Sequence, residues 1–402
     1  MDIAAAAERA WQHISAERLL QTTYRFVETP SPTGQERAFA LRYAAYLGEI
    51  GLEVQLDEEF PDSPSVLAWW PGTRRRPILQ FDGHTDTIPT PHAAPSLDST
   101  RGIVRGRGAA DMKGGLAAVA EALRALRAAG VALDGSILLT AHGLHEAPLG
   151  DQRTLRSLIR KGIHGDAAIV AELGEHALPL AAKGMLIFRI EIGREGMPMH
   201  EAEAPTTLPH PLWAAGRMLA LLDERRRALQ EQDVPLLGPE SIFLGEVHGG
   251  DFYNRVPVSA RIVGTHRFAA PRTAAQVEAE YLALCLRVEA ETGATARCTV
   301  QEVGRPFRLD EDTPIVRYVR AGYLAATGHA LPVQGINVVG NAADLVGLAG
   351  IPAVYHGVNQ STAHSDDEFV LAADLVRAAR VYAWAALAYC AGADRRDGEA
   401  PC

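Results

Sequence analysis

Hydrophobic and polar positions change period along the chain, and the changes mark its organisation. Residues 1–20 space their apolar side chains at helical intervals and predict one amphipathic helix. Residues 35–51 read as a helix stopped by Gly51. Residues 52–57 and 65–70 read as strands, and Pro77–Asp82 reads as a buried one. Gly115–Ala129 carries small and apolar residues at helical spacing and ends at Gly130. Ser136–Thr140 is an apolar strand, Leu155–Lys161 a short helix and Ala167–Val170 a second buried strand. Strands separated by helices predict an α/β layered fold.

The texture then shifts. Met185–Gly193 alternates like a strand with one wet face, and Pro211–Leu229 is a long helix with proline in its first turn. Strands at 241–247 and 256–267, a helix over Ala274–Thr292 and a strand at 295–303 follow. This is the strand-helix-strand-strand-helix-strand order of a ferredoxin-like α+β unit. After Pro306 the first texture returns, with a helix at 313–327, a strand at 353–356 and a long helix at 372–391. The expected architecture is a discontinuous α/β/α domain with a mixed sheet (1–184 and 304–402) and an inserted α+β domain (185–303).

Composition narrows the function classes. Apolar residues are 47% of the chain and charged residues 22%, ordinary for a globular protein and wrong for a disordered chain, collagen or coiled coil. The net charge is -10, from 39 Lys+Arg against 49 Asp+Glu, which argues against a nucleic-acid face. No apolar run approaches the ~20 residues of a membrane span. The start carries Asp2 and Glu8 rather than a basic segment before an apolar one, so a cytoplasmic protein is expected. Cys285, Cys298, Cys390 and Cys402 are scattered, which predicts free thiols, with Cys402 exposed at the terminus.

Five places concentrate His, Asp and Glu at predicted strand ends or turns. His84 and Asp86 are two apart and share a side of an extended chain, so the carboxylate could fix a ligating imidazole; a solvated turn is the plainer alternative. Asp111, just before a helix, is either a cap or a two-oxygen bridge between cations. His142, His145 and Glu146 follow a strand on a loop that Gly143 and Pro148 keep from being helical. Glu172 ends another strand, and His364 precedes Ser365-Asp366-Asp367-Glu368, a run that also suits a helix cap. Each alone is ordinary. Together they matter, because strand C-terminal ends share one edge of an α/β sheet, where such folds bind ligands.

The order of these motifs resembles the M20 metallopeptidase/amidohydrolase family over essentially the whole chain. It runs H-x-D-x-x-P from His84, then Gly106-Arg107-Gly108-Ala109-Ala110-Asp111-Met112-Lys113-Gly114-Gly115, then Glu146, Glu172 and a late A-H-x-x-D-E. The resemblance implies hydrolysis of the amide bond of a small N-acyl amino acid or dipeptide-like substrate that bears a carboxylate, through a metal-bridging water. It implies two divalent ions, zinc first with cobalt or manganese as substitutes. Asp111 would bridge them, His84 and Glu172 would complete one site, and Glu146 and His364 the other, with Asp86 orienting His84. The inserted segment resembles the family's lid and homodimer interface. There His200 would stabilise the oxyanion, often from the partner subunit, Asn254 would line the substrate site and Arg267 would meet the substrate carboxylate.

One position departs from the family. Most members carry Glu-Glu where this chain has His145-Glu146, and the first Glu is their general base. His145 then either does the base work, or binds metal or substrate, or marks a non-hydrolytic relative that performs amide formation, acyl transfer or isomerisation.

Overall fold

The computed structural model describes residues 2–391, so Cys402 lies outside the described residues. The chain divides into two compact units. One comprises residues 2–180, 309–334 and 340–391, and the other 181–308 with 335–339.

The first unit is built on a six-stranded mixed sheet. Its strands lie in the order Glu53–Asp57, Ser65–Trp70, Ser136–His142, Ile78–His84, Ala167–Val170, Ala353–Tyr355. The last four run parallel, and the first two pair antiparallel. Ile78–His84 lies inside the sheet and every residue in it is buried, which is why it reads as a continuous run rather than an alternation. The polar members of that run are satisfied internally. Gln80 Nε2 donates to Thr140 Oγ1 at 2.8 Å, and Gln80 Oε1 accepts from the Gly165 N–H at 2.9 Å.

Helices Gly114–Ala128 and Ala372–Cys390 supply much of the core around this sheet. Gly115 sits where the first of them starts. A Cβ there would lie 1.9 Å from the Ala171 carbonyl oxygen, so only glycine lets the helix start come against the segment leading to Glu172.

The N-terminal stretch differs from the expected single helix. It forms Ile3–Trp11 and Ala16–Val27, and Ser15 caps the second by accepting the Arg18 N–H. Ser15 lies in the middle of an apolar periodicity that runs through both helices, and the cap wins over the period.

The second unit is a four-stranded antiparallel sheet in the order Ser241–Gly249, Ser259–Phe268, Gly184–Gly193, Thr295–Gly304. Leu186, Phe188, Ile190 and Ile192 point into its core, while Arg189 and Glu191 between them are exposed. Helices Pro211–Gln230 and Ala274–Thr292 contribute Met218, Leu222, Val277 and Tyr281 to the same core. Cys285 and Cys298 are free and buried there, and Cys390 is free and buried in the first unit. Among the described residues no helix is long and apolar enough to cross a membrane.

Candidate metal centre

Parallel pairing brings three strand ends to one edge of the large sheet. His84 closes its strand, Glu172 follows Ala167–Val170, and His145 and Glu146 follow Ser136–His142. Asp111 lies on the irregular turn Ala109–Lys113 before helix Gly114–Ala128. His364 lies on the loop before the short strand Phe369–Leu371, not directly before the last helix.

The Asp111 carboxylate faces two imidazoles with its two oxygens. Oδ1 is 3.1 Å from His84 Nε2, and Oδ2 is 3.1 Å from His364 Nε2. Each imidazole has a second carboxylate beside it. Glu172 Oε2 is 3.8 Å from His84 Nε2, and Glu146 Oε1 is 3.0 Å from His364 Nε2. His84 is fully buried, whereas His364 is half-exposed.

The electrostatics show a cluster short of positive charge. Burial pushes Glu172 up to about 8. Hydrogen bonds to Asp111 and then Glu146 push His364 up to about 10. Burial opposes charge on His84, yet its bonds to Asp111 and Asp86 hold it well above the ordinary imidazole range. Among the described residues, the cations within ion-pair reach of these three carboxylates are histidines, not Lys or Arg. Three converging carboxylates and two imidazoles form a donor set that fits divalent metal ions. Two buried carboxylates against one buried imidazole are the environment that bound cations relieve.

A ring of buried acids holds these groups in place. His84 Nδ1 is 2.9 Å from the Asp86 carbonyl oxygen and 3.5 Å from its carboxylate Oδ1, so the backbone carbonyl is the nearer orienting group. Asp86 Oδ2 accepts the N–H groups of both His145 and Glu146, at 2.9 and 2.7 Å. Glu368 Oε1 accepts from the N–H groups of Gly108, Ala110 and Asp111, and Arg107 pairs with its other oxygen at 3.0 Å. Glu368 therefore positions the Asp111 turn; its sequence context suggested a helix cap. Gln360 donates to Asp111 Oδ1 at 3.0 Å, and Glu36 Oε1 accepts from the Leu144 N–H at 2.9 Å. Neither carries a local signal that points to the site.

His145 stacks on His84, with ring centroids 4.3 Å apart and planes 3° from parallel. By distance, His84, His145 and Glu172 could share an ion. Ring orientation opposes it: imidazole lone pairs lie in the ring plane, and two stacked parallel planes have no common point for one ion at ~2.0–2.1 Å from both nitrogens. Burial and the neighbouring His84 lower the pKa of His145, which favours its neutral form.

Three further candidates, His200, Asn254 and Arg267, lie in the second unit. His200 is exposed, its Nε2 3.1 Å from Asn254 Nδ2 and its Nδ1 accepting from the Ala202 N–H. Arg267 donates to the Asn337 carbonyl at 2.8 Å. His142 is buried in the first unit, its Nε2 3.4 Å from the Asp82 carboxylate.

Comparison with known proteins agrees with this geometry. The model of the peptidase family M20/M25/M40 matches residues 81–388. A succinyl-diaminopimelate desuccinylase of Methylobacterium radiotolerans is 28% identical over 394 residues, covering 92% of this chain and 96% of its own. The crystal structure of aminopeptidase PepT from Bacillus cereus superimposes with a TM-score of 0.78 at 19% identity, over 94% of this chain and 100% of that one. The Bacillus subtilis YXEP protein, described as a dinuclear metal-binding peptidase of family M20, gives a TM-score of 0.69 at 16% identity, over 92% of this chain and 97% of that one. The chain belongs to the M20/M25/M40 peptidase family and is a hydrolase of amide bonds.

Proposed function

We propose that the chain is a two-metal amidohydrolase acting on small N-acyl amino acids or dipeptide-like amides that carry a carboxylate. The observation that carries this is the Asp111 carboxylate, which turns one oxygen to each of two imidazoles, each with its own second carboxylate. His84 and Glu172 would hold one ion, Glu146 and His364 the other, and Asp111 both, with Asp86 orienting His84. The mixed nitrogen and oxygen donors suit zinc, with cobalt or manganese able to substitute. Bound there, two divalent ions would polarise an amide carbonyl and lower the pKa of the attacking water.

The chain's own residues do the rest. His145, stacked on His84 with its pKa lowered by burial, would take the proton of the attacking water and return it to the leaving amine nitrogen. The desuccinylase relatives support an acyl-amino-acid substrate.

The catalytic domain is assigned to residues 1–184 and 304–402. The intervening segment is assigned as a ferredoxin-like lid through which two copies dimerise. Its antiparallel strand order, second-third-first-fourth along the chain, supports that reading. From this lid His200 would stabilise the oxyanion, Asn254 would line the substrate site and Arg267 would meet the carboxylate.

The test is a panel of N-succinyl, N-acetyl and N-formyl amino acids and dipeptides, incubated with metal-loaded protein and followed by mass spectrometry. Chelator-sensitive release of the amine is expected, together with a roughly 10²–10⁴-fold loss of kcat in His145→Gln at unchanged metal content. Metal-loaded protein that cleaves no amide, yet gains hydrolysis on His145→Glu, would favour a non-hydrolytic relative instead.

A further inference from the structure

Beneath His145 lies a buried polar chain that metal binding does not use. Asp82, Thr140, His142 and Asn341 are all 1% exposed or less. Asp82 Oδ1 accepts from Thr140 Oγ1 at 2.6 Å and from Gln80 Nε2 at 3.3 Å. Asp82 Oδ2 accepts from Asn341 Nδ2 at 2.9 Å, and Asn341 Oδ1 lies 2.8 Å from His145 Nδ1. His142 Nε2 is the remaining neighbour, 3.4 Å from Asp82 and 3.3 Å from Asn341 Nδ2.

The direction of this chain follows from donor chemistry. The Asn341 amide turns its NH2 to Asp82 Oδ2, whose carboxylate gathers the Thr140 hydroxyl and the Gln80 amide on its other oxygen. Asn341 then has only its carbonyl oxygen left for His145. A carbonyl cannot donate, so His145 Nδ1 carries a proton, and in the neutral ring Nε2 then holds the lone pair. Asp82 is a costly group to bury, and the amide spends one of its donor hydrogens satisfying it, which fixes both partners together.

We propose that Asp82 and Asn341 form a carboxylate–amide relay that locks His145 in the Nδ1–H tautomer, making both of them positioning residues for proton transfer at Nε2. The inference rests on the reading of His145 as the proton-transfer group. It parallels the way an outer carboxylate fixes a ligating histidine, but with an amide interposed and a non-ligating imidazole at the end.

The experiment is long-range nitrogen–proton NMR on zinc-loaded, full-length protein labelled with ¹⁵N-histidine. The His145 signals are identified by their disappearance in His145→Gln. The wild type is expected to show a pyrrole-like Nδ1 and a pyridine-like Nε2. Asn341→Ala is expected to move that pair toward the opposite tautomer or an average, and to lower kcat roughly 10–100-fold with KM and metal content unchanged. Asp82→Asn, whose own NH2 lets the Asn341 amide turn either way, is expected to weaken the Nδ1–H signature.

A proton on Nε2 in the wild type overturns the relay without reference to any variant's folding. So does an unchanged His145 pair in folded, metal-loaded Asn341→Ala. The expected tautomer together with full hydrolysis in His145→Gln would uphold the relay and overturn only the base assignment.

Discussion

The two units bury different things. The core of the second unit is mostly an apolar layer in which Leu186, Phe188, Ile190 and Ile192 face inward, and its buried His266 and Glu240 pair with each other at 3.4 Å. Its candidate residues, His200 and Asn254, are on or beside exposed turns. The first unit instead buries His84, Asp86, Asp82, His142, Glu172, Asn341 and Glu368 at the end of an otherwise apolar sheet. Burying so many ionisable groups costs free energy unless each is paired, and here the pairs run through backbone N–H groups, imidazoles and amides. The contrast teaches where to look for chemistry: in the first unit burial against the apolar rule marks the site, and in the second only a resemblance does.

The largest effect should come from the shared carboxylate. Asp111→Ala is expected to abolish tight metal binding and lower kcat/KM about ten-thousandfold, several kcal/mol of transition-state stabilisation. Elemental analysis and steady-state kinetics read both. Removing a dry-core side chain should do the reverse. Phe188, fully buried and stacked on Tyr281 at 4.6 Å, should cost about 3–5 kcal/mol of stability as Phe188→Ala while leaving metal content intact. Denaturant unfolding of loaded protein measures it.

His200→Ala comes next, with a roughly 10²–10³-fold loss of kcat and both metals retained. Full activity in that variant would remove the second unit's histidine from the mechanism and sharpen the contrast between the units.

A smaller effect concerns pH. Burial holds His356 down to about 4, its Nδ1 donates to the Gly174 carbonyl at 2.9 Å, and its Nε2 has no hydrogen-bond partner. The unfolded chain protonates this ring near 6.5 and the folded one only near 4, so the contribution is complete above pH 6.5 and is lost as pH falls through about 4. It amounts to at most about 3 kcal/mol. The pH dependence of stability between those values should flatten in His356→Gln.

Much of this was legible because it is tied to strand ends. His84, Glu146 and Glu172 follow apolar runs whose length and parallel setting put their ends together, and the glycines around Asp111 announce a tight turn before a helix. Other features depend on where distant segments land. Asn341 reaches Asp82 across 259 residues, and Gln360 reaches Asp111 across 249. Glu368 sits in an acidic run that local rules assign to a cap, yet it gathers three N–H groups of the Asp111 turn. The plane of the His145 ring, which separates a base from a ligand, is set by packing on His84 and has no sequence signature at all.

Metal stoichiometry tests the central claim most directly. Elemental analysis of the dialysed protein, repeated on Asp111→Ala, should find two divalent ions per chain in the wild type and a marked loss in the variant. A wild type that holds at most one ion, or a variant that still holds two, would contradict the shared-carboxylate centre.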